Sequence, residues 1–160
     1  RILELLHRGV NYNLQQEEKG GQDGMDMAIC VINKEKKTIE FAGANNPLFA
    51  VLDEEPIIIK GDRRCIGGKN RKGAFKVHTL SFQKSANLYL LSDGYQDQFG
   101  NNEENTPKIK IGRKRLQELI FKNSHLPMEN QASLISDYFQ NWKGEEKQID
   151  DVLVMGATFN

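Results

Sequence analysis

Asn87-Leu88-Tyr89-Leu90-Leu91-Ser92 is an almost wholly apolar stretch that runs straight into Asp93-Gly94-Tyr95. A short run without polar alternation reads as a strand covered on both faces. A carboxylate and a glycine directly after it place a charged, tightly turning segment at a sheet rim. Far along the chain, Gln148-Ile149-Asp150-Asp151-Val152-Leu153-Val154 sets a second acidic pair immediately before a closing strand over Val152–Phe159. Antiparallel pairing of these two strands would bring the end of one and the start of the other to the same rim. Carboxylates that converge with no Cys or His nearby suit a hard cation with oxygen ligands, Mg²⁺ or Mn²⁺ rather than Zn²⁺. By spacing alone, Asp-Gly and Asp-Asp are also ordinary strand-end and turn residues.

Outward from this pair, residues 2–16 read as a helix, with Ile2, Leu6, Val10 and Leu14 recurring every four positions. The polar stretch Gln15–Gly24 reads as a loop. Met25–Asn33 and Thr38–Ala44 flank the charged turn Lys34-Glu35-Lys36-Lys37 and are expected to pair. Pro47–Leu52 and Pro56–Lys60 suggest a second hairpin around Asp53-Glu54-Glu55, and Gly73–Phe82 a further strand. Gly100–Pro107 is a polar loop. Helices follow over Gly112–Lys122 and from Pro127 to Gly144, the latter with Met128, Ala132, Ile135, Phe139 and Trp142 as its apolar stripe. Helices segregated from mostly antiparallel strands indicate α+β; the alternation of a parallel sheet is absent.

Composition narrows the function classes. The 160 residues carry 22 Lys+Arg against 22 Asp+Glu, which gives no support for a general nucleic-acid binder. No apolar run approaches the roughly 18 residues needed to span a bilayer. Two isolated cysteines, Cys30 and Cys65, fit free thiols in a reducing compartment, so a cytoplasmic location is expected. The first residue is Arg1 rather than Met, so the chain reads as part of a longer protein. Asp93–Glu104 fails as a calcium-binding EF-hand loop, because Tyr95 and Gln98 stand where an acid and a glycine are needed. His7, His78 and His125 are scattered and read as surface or packing residues. Cys30 reads as a small core residue, and Cys65 as an exposed thiol. The basic segment 60–76 offers Gly67-Gly68 as backbone donors for an anion, against the plainer reading of a solvated loop.

Three ordered segments complete the pattern: Asp23-Gly24-Met25-Asp26-Met27-Ala28-Ile29-Cys30, Ala42-Gly43-Ala44-Asn45-Asn46-Pro47-Leu48, and Ser92-Asp93-Gly94-Tyr95-Gln96-Asp97-Gln98-Phe99-Gly100. With Asp150-Asp151-Val152-Leu153-Val154 after them, the chain resembles the bacterial SpoIIE-like serine/threonine protein phosphatases, relatives of the protein phosphatase 2C type. The resemblance implies an α+β fold of two antiparallel sheets in a sandwich flanked by helices. It implies one domain over residues 1–160, incomplete at its N-terminal side. It also implies a binuclear Mn²⁺ or Mg²⁺ centre that hydrolyses phosphoserine or phosphothreonine on a regulatory protein of the anti-anti-sigma type, under control of upstream sensor domains. Carried over by motif, Asp93 and Asp150 are metal ligands, with Gly94 allowing the close turn. Asp151 and Asp97 support them, Asn45 lines the entrance, and Asp26 is a nearby acid without an assigned role.

The chain departs from the family pattern at Ala44, where many relatives have His, and in lacking the first aspartate motif. Asp93 and Asp150 then form half a cage, so these 160 residues alone are expected to be nearly inactive and to bind metal weakly. Uncovered sheet edges are expected to favour self-association, and upstream domains leave membrane tethering open. The rival reading is a non-catalytic interaction module on a degenerate phosphatase fold. A third is an anion- or lipid-binding domain using residues 60–76.

Overall fold

The computed structural model describes residues 1–16, 21, 23–68, 73–100 and 108–160. In chain order the elements begin with α1 (Ile2–Asn13), β1 (Gly24–Met25), β2 (Met27–Asn33), β3 (Thr38–Ala44), β4 (Leu48–Leu52) and β5 (Glu55–Ile59). Then come β6 (Ile66–Gly67), β7 (His78–Ser81), β8 (Ala86–Leu91), the one-turn helix α2 (Gly94–Asp97), β9 (Phe99–Gly100) and β10 (Ile109–Lys110). Helices α3 (Gly112–Asn123) and α4 (Met128–Lys143) precede the last strand, β11 (Val154–Phe159). Two compact units result: Arg1–Leu48 with Ile58–Gln83, and Phe49–Ile57 with Lys84–Asn160. Among the described residues no helix is long and apolar enough to cross a membrane.

In the first unit β2, β3 and β7 form an antiparallel sheet, with Met27 opposite Ala44 and Phe41 opposite His78. The expected pairing around the charged turn holds. Asn33 Oδ1 accepts the Lys36 N–H at 2.9 Å, and Lys37 takes the left-handed conformation that closes it. The strand expected over 25–33 is broken at Asp26, and β1 pairs instead with β6. Helix α1 ends at Asn13, and its buried face is Leu3, His7 and Asn11. Of the expected stripe, Ile2 and Leu14 are 54% and 52% exposed. The turn is set by polar grips: Glu4 Oε1 accepts the Phe75 N–H at 2.9 Å and His7 Nδ1 the Gly67 N–H at 3.0 Å. Leu3, Ala44, Ile66 and Phe75 form the core beneath, each large side chain contributing about 1.5–3 kcal/mol. Only His78–Ser81 of the strand expected over 73–82 is paired, because side chains take the donors before it: the Lys76 N–H goes to Asp62 Oδ2 at 2.6 Å.

The second unit holds a four-stranded sheet in the order β11-β8-β4-β5. Both β11 and β4 run antiparallel to β8, with Val154 opposite Leu91 and Phe49 opposite Tyr89. Asp53 and Glu54, both at positive φ, turn the expected hairpin. Phe49, Leu88, Tyr89, Tyr95, Leu116, Ile120, Ile135 and Phe139 are buried here. On α4 the buried stripe is Gln131, Ile135 and Phe139, not one through Ala132, which is exposed. Gln131 earns burial by being satisfied: Tyr89 Oη donates to its Oε1 at 2.7 Å, and its Nε2 donates to the Leu126 carbonyl at 2.7 Å.

Candidate metal-binding rim

The β8–β11 ladder stops at Leu91 and Val154. Beyond it the chain is irregular, so Val152-Leu153 separates the acidic pair from the last strand, which begins two residues later than expected. Three hydrogen bonds replace the ladder there. The Ser92 N–H donates to the Leu153 carbonyl at 3.0 Å. Its hydroxyl donates to the Asp151 carbonyl at 2.8 Å and accepts the Leu153 N–H at 2.8 Å.

Gly94 completes the join. A Cβ there would lie 2.9 Å from the Asp151 carbonyl carbon, nearer still to its oxygen, and 3.3 Å from the Asp150 carbonyl carbon. Glycine leaves room for this approach, which a Cβ would close. Asp93 is exposed, its backbone carbonyl accepts the Asp97 N–H at 3.0 Å, and its carboxylate does not cap α2. Asp150 is exposed, and its Oδ1 accepts the Asp151 N–H at 2.7 Å, which fixes the carboxylate against its own backbone. The structure thus places Asp93, Gly94, Asp150 and Asp151 on one rim.

The other candidates stand differently. Asp97 pairs with Lys110 at 3.4 Å, and that ammonium also lies over the Phe99 ring. Asp26 Oδ1 accepts from Asn45 Nδ2 at 2.7 Å in the first unit, where Asn45 has φ 58° and donates its N–H to the Asp62 carbonyl. Asp26 and Asn45 therefore form a local pair of their own.

Several other groups were assigned by sequence to anion or thiol roles. The Gly67 and Gly68 N–H groups are taken by His7 Nδ1 and by Gln16 Oε1, the latter at 2.7 Å. An anion would have to displace both. Arg64 lies over the Phe75 ring, donates to the Gly73 carbonyl and pairs with Glu4 at 3.5 Å. Lys69, Arg71 and Lys72 lie outside the described residues. Cys30 is half-buried rather than in the core, and burial pushes its thiol up to about 11. Cys65, also half-buried rather than exposed, donates to the Gly67 carbonyl at 3.3 Å.

Among the described residues no group of three or more His, Cys, Asp or Glu is placed to hold a metal ion. Mg²⁺ is commonly held through one or two carboxylates, with waters and phosphate oxygens supplying the rest. Two aspartates on a rim whose backbones are joined through Gly94 and Ser92 fit one side of such a site; they do not make a binuclear cage. The structure brings together on this rim Asp93, Asp150 and Gly94, which the sequence reading named, and Ser92, which it did not. Its signal was a hydroxyl at the strand end, directly before the acid.

The family model described as Stage II sporulation protein E (SpoIIE) matches residues 1–160. No curated protein matches. Among solved structures, the SiaA-PP2C domain of Pseudomonas aeruginosa superposes with a TM-score of 0.77 at 21% identity, covering 99% of this chain and 70% of that one. The phosphatase domain of the cell fate determinant SpoIIE from Bacillus subtilis gives 0.59 at 13% identity, covering 99% and 72%. RsbX in complex with magnesium gives 0.53 at 15% identity, covering 99% and 72%. At these identities the likeness shows the fold, which is that of PP2C-type phosphatase domains.

Proposed function

Because the chain belongs to the SpoIIE family, we propose that it is part of a metal-dependent phosphatase acting on phosphoserine or phosphothreonine of a regulatory protein. The observation that carries this reading is the rim, where Asp93 and Asp150 follow and precede paired strands and are joined through Gly94 and Ser92. Asp93 and Asp150 would be the cation ligands, with Asp151 and Asp97 beside them. Bound divalent cations supply charge neutralisation at the phosphoryl oxygens and an acidified water. The chain's own work is to hold two carboxylates in place and to keep Asp97 engaged with Lys110. The remaining acidic ligands would come from a first aspartate motif outside these 160 residues. An anti-anti-sigma-type phosphoprotein as substrate, upstream sensor domains and a cytoplasmic location belong to the same proposal. RsbX in complex with magnesium and the SpoIIE phosphatase domain presoaked with Mn support the choice of Mg²⁺ or Mn²⁺.

The test is phosphate release from a phosphoserine peptide with Mn²⁺. The 160-residue chain should be nearly silent. A form extended upstream should turn over and lose activity with chelator or on Asp93→Asn. The non-catalytic reading draws on the first aspartate motif, which these 160 residues lack. Silence of the extended form, unaltered by Asp93→Asn, would decide for it.

A further inference from the structure

Ser92 occupies the point where sheet pairing gives out between the two acidic segments. The ladder ends one residue before it, and Asp93 begins directly after it. A serine hydroxyl has one proton to donate and lone pairs to accept with. Here both capacities go to the opposite segment, on the two sides of Val152: the proton to the Asp151 carbonyl and the acceptance to the Leu153 N–H, each at 2.8 Å. The same Asp151 carbonyl presses on Gly94. Ser92 is therefore fastened to the segment that follows Asp150, and Gly94, on the other side of Asp93, lies close against the same segment. Neither carboxylate needs to move for this to hold, since the contacts are made by backbone and hydroxyl alone.

We propose that Ser92 is a positioning residue whose hydroxyl sets the placement of Asp93 relative to Asp150 and so tunes their joint affinity for a divalent cation. This role rests on the reading of those aspartates as cation ligands. Losing the hydroxyl leaves the Asp151 carbonyl and the Leu153 N–H without this partner, and the Ser92 N–H bond to the Leu153 carbonyl is what remains of the join at the end of β8 among the described residues. Groups that orient metal ligands typically change affinity by 10–100-fold when removed.

The experiment titrates the 160-residue chain with Mn²⁺ alone, reading free ion by electron paramagnetic resonance, at a temperature where circular dichroism shows every variant folded. Ser92→Ala should weaken binding about tenfold, and Ser92→Thr, which keeps the hydroxyl, should restore it to within about twofold. Asp93→Asn should abolish it. Binding lost in Asp93→Asn but unchanged in Ser92→Ala overturns the role of Ser92 and leaves the ligand reading standing. Equal weakening by Ala and Thr also overturns it, because the hydroxyl would then not be the cause. Binding indifferent to Asp93→Asn overturns the ligand reading and this role with it, and no binding at millimolar Mn²⁺ overturns this role, since the two aspartates then have no joint affinity for Ser92 to set.

Discussion

Gly94 and Gly9 each lack a side chain, and a methyl group added to each should act in opposite directions. At Gly94 it would run into the Asp151 peptide, a rigid backbone neighbour. Gly94→Ala should therefore cost about 1–3 kcal/mol, as overpacking does, seen as a lower midpoint in thermal unfolding. Gly9 sits inside α1 with nothing within 4 Å of the added atom. Gly9→Ala should stabilise by about 0.5–1 kcal/mol through helix propensity. No loss in Gly94→Ala would mean that the Gly94 approach is looser than the geometry indicates, and a loss in Gly9→Ala would overturn the open space at Gly9.

At the scale of elements, β2 carries a titration that can be read directly. Burial raises the Cys30 thiol from 9.0 to about 11, so the folded chain holds this proton more tightly than the unfolded one. The resulting stability is present below pH 9 and is lost as pH rises toward about 11. Denaturant midpoints should fall across that window, and Cys30→Ala should flatten this part of the profile. Local pattern made β2, β3, β8 and the two long C-terminal helices legible, because their apolar spacing matches their period. The α1 face was misjudged because Glu4 and His7 bind backbone donors at Phe75 and at Gly67 of β6, and no apolar count registers that. Gln131 escaped notice on α4 for the same reason, its burial depending on Tyr89. At the rim, the meeting of the segments that carry Asp93, Gly94 and Asp150 was legible from residue order and strand pairing. The hydroxyl join at Ser92 was not, since it depends on where the ladder stops.

For the molecule as a whole, β11 is the outer strand of its sheet among the described residues, and Leu153 and Met155 are 56% and 55% exposed. Strand Val154–Phe159 carries no charge or proline to discourage pairing. The 160-residue chain is expected to self-associate, with sedimentation showing a concentration-dependent dimer that Met155→Lys shifts to monomer. A monomer at every concentration would remove that expectation. The partnership of β8 with β11 also has a bearing on synthesis. Leu91 meets Val154 only after the ribosome has made the intervening loop, α3 and α4. Pairings this distant in sequence form late. A nascent chain thus carries Asp93 through the synthesis of residues 94–149 without the neighbour that defines its surroundings, and the rim comes into being at a single later step.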